Sequence, residues 1–493
     1  VLRNEIKENE ILYSSVVPDS LLEARNKLSG TIAAYNKMIL DESRISVPDS
    51  NKISLWKDAV FNMNREIEDV TQLINNKFPQ YQDILRRTDP VPLSVIQRNL
   101  NRYETVVDYF LSNQYKDGKR NLVIFLISKS NLEFCEVWLD SLFIKYTEVI
   151  RNFSTQNSDN DFITCTSALS YMYEYLVKPV NGFIKGEKLI IIPDEEIAWL
   201  PFDAFLENVP EKDHTDYDGL QYLVYNHTIS YAYTSSLTHG KRSGLTRRKE
   251  VFAFSPDYSN SDVKGESYDL LYGTNKEIES IYKRFRGKKF LSDQASETNF
   301  MQSIRQPALF HLAMHSVSDS INSKYSYLLF DTHCDTVEDG KLYNYEISLT
   351  RIKSPMVVLS ACNSGTGTLY HGEGLMSLAR GFILAGATSV IKTAWEVNDE
   401  TSAAIISRFY YHLSEGKHKD EAMRQAKLDY LKVTPPAYAS PYFWAPYEVI
   451  GENEPVATRC RLFVLILSIF FMISAGFLVI YFRRRRIFSD RSL

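Results

Sequence analysis

Between residues 1 and 91 apolar positions recur three and four apart, as in LWKDAVFNMNREIEDVTQLI, and nothing alternates at period two, which predicts helices. No self-similarity at a period of about 34 residues is evident there, although a cut repeat array would read the same way. The helical pattern breaks at RRTDPVP, where Pro90 and Pro92 mark a boundary. The texture then changes. ETVVDYFLS and NLVIFLIS read as strands, NLEFCEVWL as a third, and helical stretches follow around 142–180.

After this preface come short apolar runs, KLIIIP, VFAFSP, ALFHLAMH, MVVLSA and TSVIKTAW. Each is followed by polar turns and usually by a helical pattern such as NKEIESIYKRF or GLMSLARGFILAG. Strands apolar throughout, alternating with helices, predict an α/β fold with a mostly parallel sheet covered by helices on both faces. The expected organisation is a helical segment at 1–91 and an α/β domain at 92–452, divided into an α+β preface (92–186) and a core (187–452). A linker at 453–461, a membrane helix at 462–482 and a basic tail at 483–493 complete it.

The membrane expectation rests on LFVLILSIFFMISAGFLVIYF, which carries no charge and is long enough to cross a bilayer. Arg483 to Arg486 and Arg491 follow it, against Arg459 and Arg461 before it. The positive-inside rule then predicts a single-pass protein with a cytoplasmic tail and an extracytoplasmic α/β domain. A tail-anchored protein with its domain in the cytoplasm is the alternative. The chain opens on Val1, and VLRNEIKENE is too polar for a secretory core.

Composition changes this picture little. The 493 residues suffice for a sizeable core without staples, and a net charge of −5 with no long basic stretch before the C-terminus shows no nucleic-acid footprint. Five cysteines, Cys135, Cys165, Cys334, Cys362 and Cys460, are odd in number and never form a C-x-x-C pair, which suggests neither a disulfide framework nor a zinc ribbon.

Candidate chemistry gathers where apolar runs end. In doubly wound sheets ligands sit beyond the carboxyl ends of the strands. Cys362 follows the run Met356 to Leu359, and His315 follows Leu309 to Met314. If those strands are neighbours, both side chains project into one crevice. The two lie 47 residues apart in sequence, close to the roughly 50-residue His-to-Cys spacing of caspases. A thiol needs an imidazole as base and later as acid for acyl transfer. Small residues around the cysteine (Ala361, Asn363, Ser364, Gly365, Gly367) would leave its sulfur accessible and offer backbone N–H groups to an oxyanion. Packing alone is the commoner role of a lone cysteine. His311 and His315 lack a third metal ligand, His311 reads as a core histidine, and His333 and His371 stay open as alternative bases. SGTGTLYHGEG has no lysine and is no phosphate loop. No cofactor and no metal is expected.

On ALFHLAMHS, VVLSACNSGTG and GEGLMSLARGFILAGATSVIKTAWEVND the sequence resembles the CHAT family, caspase-like domains often found with tetratricopeptide repeats. KLIIIPDEEIAWLPFDAFL, ISYAYTSSL and LYGTNKEIESI fall in the family's order, and the resemblance covers roughly residues 93 to 452. It implies a caspase-like fold, a catalytic dyad of Cys362 and His315, and an oxyanion hole from the backbone N–H of Cys362 and of Ser316. The family usually has Gly where Ser316 stands, and a positive φ there would strain a serine. By the same resemblance, WEVND matches a segment that carries an acid in separase-like members. A preference for Arg or Lys before the scissile bond would then rest on Asp399, with Glu373 second. Asp399 could instead cap the helix ETSAAIISRFYYHL. Three functions follow: a membrane-anchored cysteine endopeptidase acting on proteins or peptides, a catalytically weak binding or signalling module, and an acyl transferase or amidase on the same dyad. The expected partners are a protein or peptide substrate, the membrane through 462–482 and a regulatory partner on the N-terminal helices, with no nucleic acid.

Overall fold

A computed structural model of the chain describes residues 18–78, 91–152, 162–211, 216–235, 250–258, 273–319, 322–333, 335, 337–360, 368–370, 374–376, 378–456 and 474. The helical N-terminus is a pair of long helices, Asp19–Arg44 and Ser50–Lys77, packed against each other. The second starts where the side chain of Asp49 accepts hydrogen bonds from the N–H groups of Asn51 and Lys52.

Three strands follow: β1 (Glu104–Lys116), β2 (Lys119–Ser128) and β3 (Leu132–Leu139). The β1–β2 hairpin turns on Asp117 and Gly118, both at positive φ (52° and 74°), the left-handed geometry that an Asp-Gly pair supplies to two-residue hairpins. Next in the chain are β4 (Lys188–Ile192), β5 (Thr228–Tyr231), β6 (Val251–Ser255), β7 (Gly287–Leu291) and β8 (Leu309–Ala313). They are followed by β9 (Ser316–Val317), β10 (Tyr327–Leu329), β11 (Lys341–Tyr343) and β12 (Val357–Ser360). Last come β13 (Thr368–Tyr370), β14 (Gly374–Met376), β15 (Ser389–Thr393) and β16 (Tyr447–Gly451).

Eleven of these strands form one sheet in the order β3-β2-β1-β4-β5-β16-β15-β12-β8-β6-β7. Neighbours run parallel except in the β1–β2–β3 meander and the β15–β16 pair. The preface strands are therefore the flank of the core sheet, joined to it where β1 pairs with β4. Every residue of β5, β6, β8 and β15 is buried, as strands covered on both faces require. On one face Glu277 of the helix Thr274–Tyr282 and Tyr410 of the helix Asp399–Ser414 reach His311 of β8. On the other, Phe300 of the helix Glu297–Ser303 meets the rings of Phe310 and Phe382.

The sheet changes winding direction at β6 and β8. From β6 the chain moves outward to β7, then returns to β8 and continues through β12 to β15 on the other side. Such a reversal opens a crevice beyond the carboxyl ends of the two strands.

The single-pass membrane placement is corrected. A crossing helix needs about 20 consecutive, predominantly apolar residues, and no helix among the described residues is long and apolar enough to cross a membrane. The two longest, of 26 and 28 residues, carry charged side chains along their length. The expected extracytoplasmic catalytic domain loses its support with that finding. Residues 462–482, apart from Ser474, and the basic tail 483–493 lie outside the described residues.

Candidate active site

Parallel pairing of β8 with β12 runs in register from Phe310 opposite Val357 to Ala313 opposite Ser360. His315 stands two residues beyond Ala313, and Cys362 two residues beyond Ser360 in sequence. The strands that end before the candidate base and the candidate nucleophile are thus neighbours, ending level. Cys362 lies outside the described residues, as do Glu373, between β13 and β14, and His371.

His315 is half-buried, and its backbone is held on both sides. Its carbonyl accepts from the N–H of Leu329 at 3.0 Å. Its own N–H donates to the hydroxyl of Tyr258 at 3.1 Å, and that hydroxyl donates to the Leu329 carbonyl at 2.7 Å. The buried Tyr258 ring also packs beside the imidazole, centroids 4.7 Å apart at 49°.

Ser316 opens β9, which pairs antiparallel with β10: Ser316 opposite Leu328, Val317 opposite Tyr327. The bond between His315 and Leu329 places Ser316 and Leu328 in the next, non-hydrogen-bonded pair of the ladder. The N–H of Ser316 therefore points away from β10. Non-glycine residues at positive φ among the described residues are Asp117, Glu195 and Ser292, so Ser316 carries none of the strain that a glycine-like conformation would impose.

Under the strand ends lies a buried polar network. Ser360, the last residue of β12, donates to Glu277 Oε2 at 3.1 Å and meets Ser402 Oγ at 3.4 Å. Glu277 Oε1 lies 3.1 Å from His311 Nε2, out of line for a hydrogen bond, and His311 Nδ1 meets the Tyr410 hydroxyl at 3.2 Å. His311 is fully enclosed, a core histidine tying the sheet to two helices. His333 is exposed.

Asp399 is the first residue of the helix Asp399–Ser414, half-buried at its N-terminus. The cap is Asn398, whose side chain accepts from the N–H groups of Glu400 and Thr401, so the capping role considered for Asp399 belongs to its neighbour. A methyl group on Gly273 would sit 2.5 Å from the Asp399 carbonyl oxygen, so the N-termini of the two network helices meet closely and the glycine permits it. No sequence signal points to Tyr258: nothing in SPDYS separates it from the other tyrosines of a chain containing 31.

Among the described residues no group of three or more His, Cys, Asp or Glu side chains could hold a metal. Burial raises the Cys135 thiol above its ordinary range.

The family model of the CHAT domain matches residues 166–452, more than half of the chain, which therefore belongs to the CHAT-domain family. A curated relative, tetratricopeptide repeat protein 28 of Mus musculus, is 30% identical over 105 residues, 21% of this chain; the match spans 4% of that protein's length. Among solved structures, the Arg-specific cysteine proteinase gingipain R aligns with 10% identity and a TM-score of 0.37, covering 64% of this chain and 74% of that one. The Saccharomyces cerevisiae separase–securin complex aligns with 11% identity and a TM-score of 0.36, covering 87% of this chain and 27% of that one.

Proposed function

We propose that the chain is a cysteine endopeptidase of the caspase-like clan, cutting protein substrates with Cys362 as nucleophile and His315 as general base. The observation that carries this reading is the level, in-register ending of β8 and β12, with Ala313 opposite Ser360, each two residues before its candidate. His315 takes the thiol proton as sulfur attacks the scissile carbonyl carbon. The oxyanion forms between the N–H of Cys362 and the N–H of Ser316, whose strand turns it away from β10. The imidazolium then protonates the leaving amine as the C–N bond breaks. Water, deprotonated by the same imidazole, hydrolyses the thioester and releases the acid.

Asp399, with Glu373 second, would hold a basic side chain before the scissile bond through a charge-assisted pair. Asp399 begins the helix Asp399–Ser414, half-buried at its N-terminus, where Asn398 makes the capping hydrogen bonds. The N-terminal helices are the proposed regulatory contact. Asn26 donates to the Leu349 carbonyl at 3.1 Å, Arg44 lies 3.8 Å from Asp319, and Lys37 stands 5.7 Å above the Tyr325 and Tyr343 rings. These contacts come from the first helix, Asp19–Arg44, and fall on and beside the small β9–β10–β11 sheet: Tyr343 ends β11, Tyr325 precedes β10, Asp319 follows β9, and Leu349 ends the helix Asn344–Leu349.

Digestion of a complex peptide library, followed by sequencing of the new termini, tests the reaction and its preference. Wild type should cut after Arg or Lys, and Cys362→Ala should cut nowhere. Asp399→Asn should lose basic substrates far more than neutral ones. Cleavage after acidic or apolar residues would refute the pocket, and equal cleavage by Cys362→Ala would refute the nucleophile.

A further inference from the structure

We propose that Tyr258 is a positioning residue for His315, setting the imidazole at the strand end through its hydroxyl and its ring together. This rests on the dyad reading given above. His315 and Leu329 face each other where an antiparallel ladder would form two direct backbone bonds. Only one is direct, from the Leu329 N–H to the His315 carbonyl. The other is relayed: the Tyr258 hydroxyl accepts from the His315 N–H and donates to the Leu329 carbonyl.

A hydroxyl wedged into the ladder holds the two backbones further apart on that side than a direct bond would. His315 is the residue at which the chain leaves β8 for β9. The wedge therefore acts at the bend that decides where the imidazole points. The ring supplies a second constraint, since it lies against one side of the imidazole and narrows the rotations open to it.

Tyr258 is itself fixed. It stands three residues beyond β6 and is buried with Tyr327 and Leu329, with Val317 and Tyr343 packed around them. Across the sheet β12, β8 and β6 are consecutive neighbours. Their carboxyl ends lead respectively to the candidate nucleophile, the candidate base and the residue that orients the base. The third lies on the β6 side of the point where the winding reverses, across β8 from β12.

The test is the pH dependence of Cys362 alkylation by iodoacetamide, read by mass spectrometry on the peptide containing Cys362, in the full chain. In wild type, pairing with His315 should extend reactivity below the range of an ordinary thiol, whose pKa is about 8.5. His315→Ala should restore the ordinary profile. Tyr258→Phe keeps the ring and removes the relay. It should lower the rate at pH 7 by roughly three- to ten-fold, the scale of one net hydrogen bond, and move the profile toward that of His315→Ala. Tyr258→Ala should move it further. Thermal unfolding of each variant separates positioning from stability. A Tyr258→Phe or Tyr258→Ala protein that melts earlier yet keeps the wild-type pH profile, while His315→Ala loses it, would overturn the role of Tyr258 and leave the dyad standing. A wild-type profile unaffected by His315→Ala would overturn the dyad, and this proposal with it.

Discussion

Single side chains in this molecule differ in how far the sequence announces them. His315 could be read because the apolar run Leu309 to Met314 stops immediately before it, and in a parallel sheet the strand end is where polar chemistry can face solvent. Tyr258 could not, because a tyrosine in a polar turn has no pattern of its own and its role arises only where β6 and β10 come together. Glu297 is a third case. It opens the helix Glu297–Ser303, a favourable place for a negative charge in sequence terms, yet it is buried with one carboxyl oxygen lacking a hydrogen-bond partner. Burial first, then the charges of Glu346, Glu338, Asp339 and Asp335, push its pKa up from 4.5 to about 9. The folded protein thus keeps a proton that the unfolded chain releases near pH 4.5, so the contribution of this residue to stability is lost as pH rises from about 4.5 to about 9. Glu297→Gln should therefore unfold like wild type at pH 4. At pH 8, well above 4.5 and with about 1.4 kcal/mol for each pH unit, it should be more stable by something on the order of 5 kcal/mol. Urea unfolding at the two pH values measures this, and an equal gain at both would count against a neutral, buried carboxyl.

Secondary-structure elements were readable in proportion to how completely they are enclosed. The runs that became β4, β6, β8, β12 and β15 are apolar because both faces are covered, and they stand out without any alternation. β7 is the reverse: GKKFL lies at the sheet edge, mostly exposed, and carries no apolar run to announce it. β16 hides for a different reason. It pairs parallel with β5 but antiparallel with β15, where the strand direction of the core sheet changes, and Glu448 on it is paired to the buried Lys392 of β15 at 2.6 Å. A charge in a strand reads as exposure until its partner across the ladder is known. Helix starts follow the same logic. Asp399 and Asn398 are equally good capping residues by type, and only the backbone geometry assigns the cap to Asn398. Asn398→Ala should accordingly cost about 1 kcal/mol of stability, the usual value of a lost cap, with cleavage preference unchanged in the library assay. A larger shift in preference than in stability would mean that the residue touches substrate.

At the level of the whole molecule, sequence pattern and family resemblance led to the mixed α/β architecture with its mostly parallel sheet and helical N-terminus. They did not show that the preface strands extend the same sheet, because strand order depends on pairings far apart in the chain, such as β1 with β4. Nor did they show the small β9–β10–β11 sheet, whose strands are two or three residues long and too short to carry a period. The membrane placement drawn from 462–482 found no support among the described helices. What the architecture does is bring β12, β8 and β6 side by side with their carboxyl ends together, and a thiol–imidazole pair at that edge is the central claim. Covalent labelling by an electrophilic peptide bearing Arg next to the reactive group, with the modified residue located by mass spectrometry, tests it most directly. Modification at Cys362 that disappears in Cys362→Ala and falls steeply in His315→Ala is the predicted result. Modification at another cysteine, or labelling of Cys362 at the same rate with and without His315, would contradict the account.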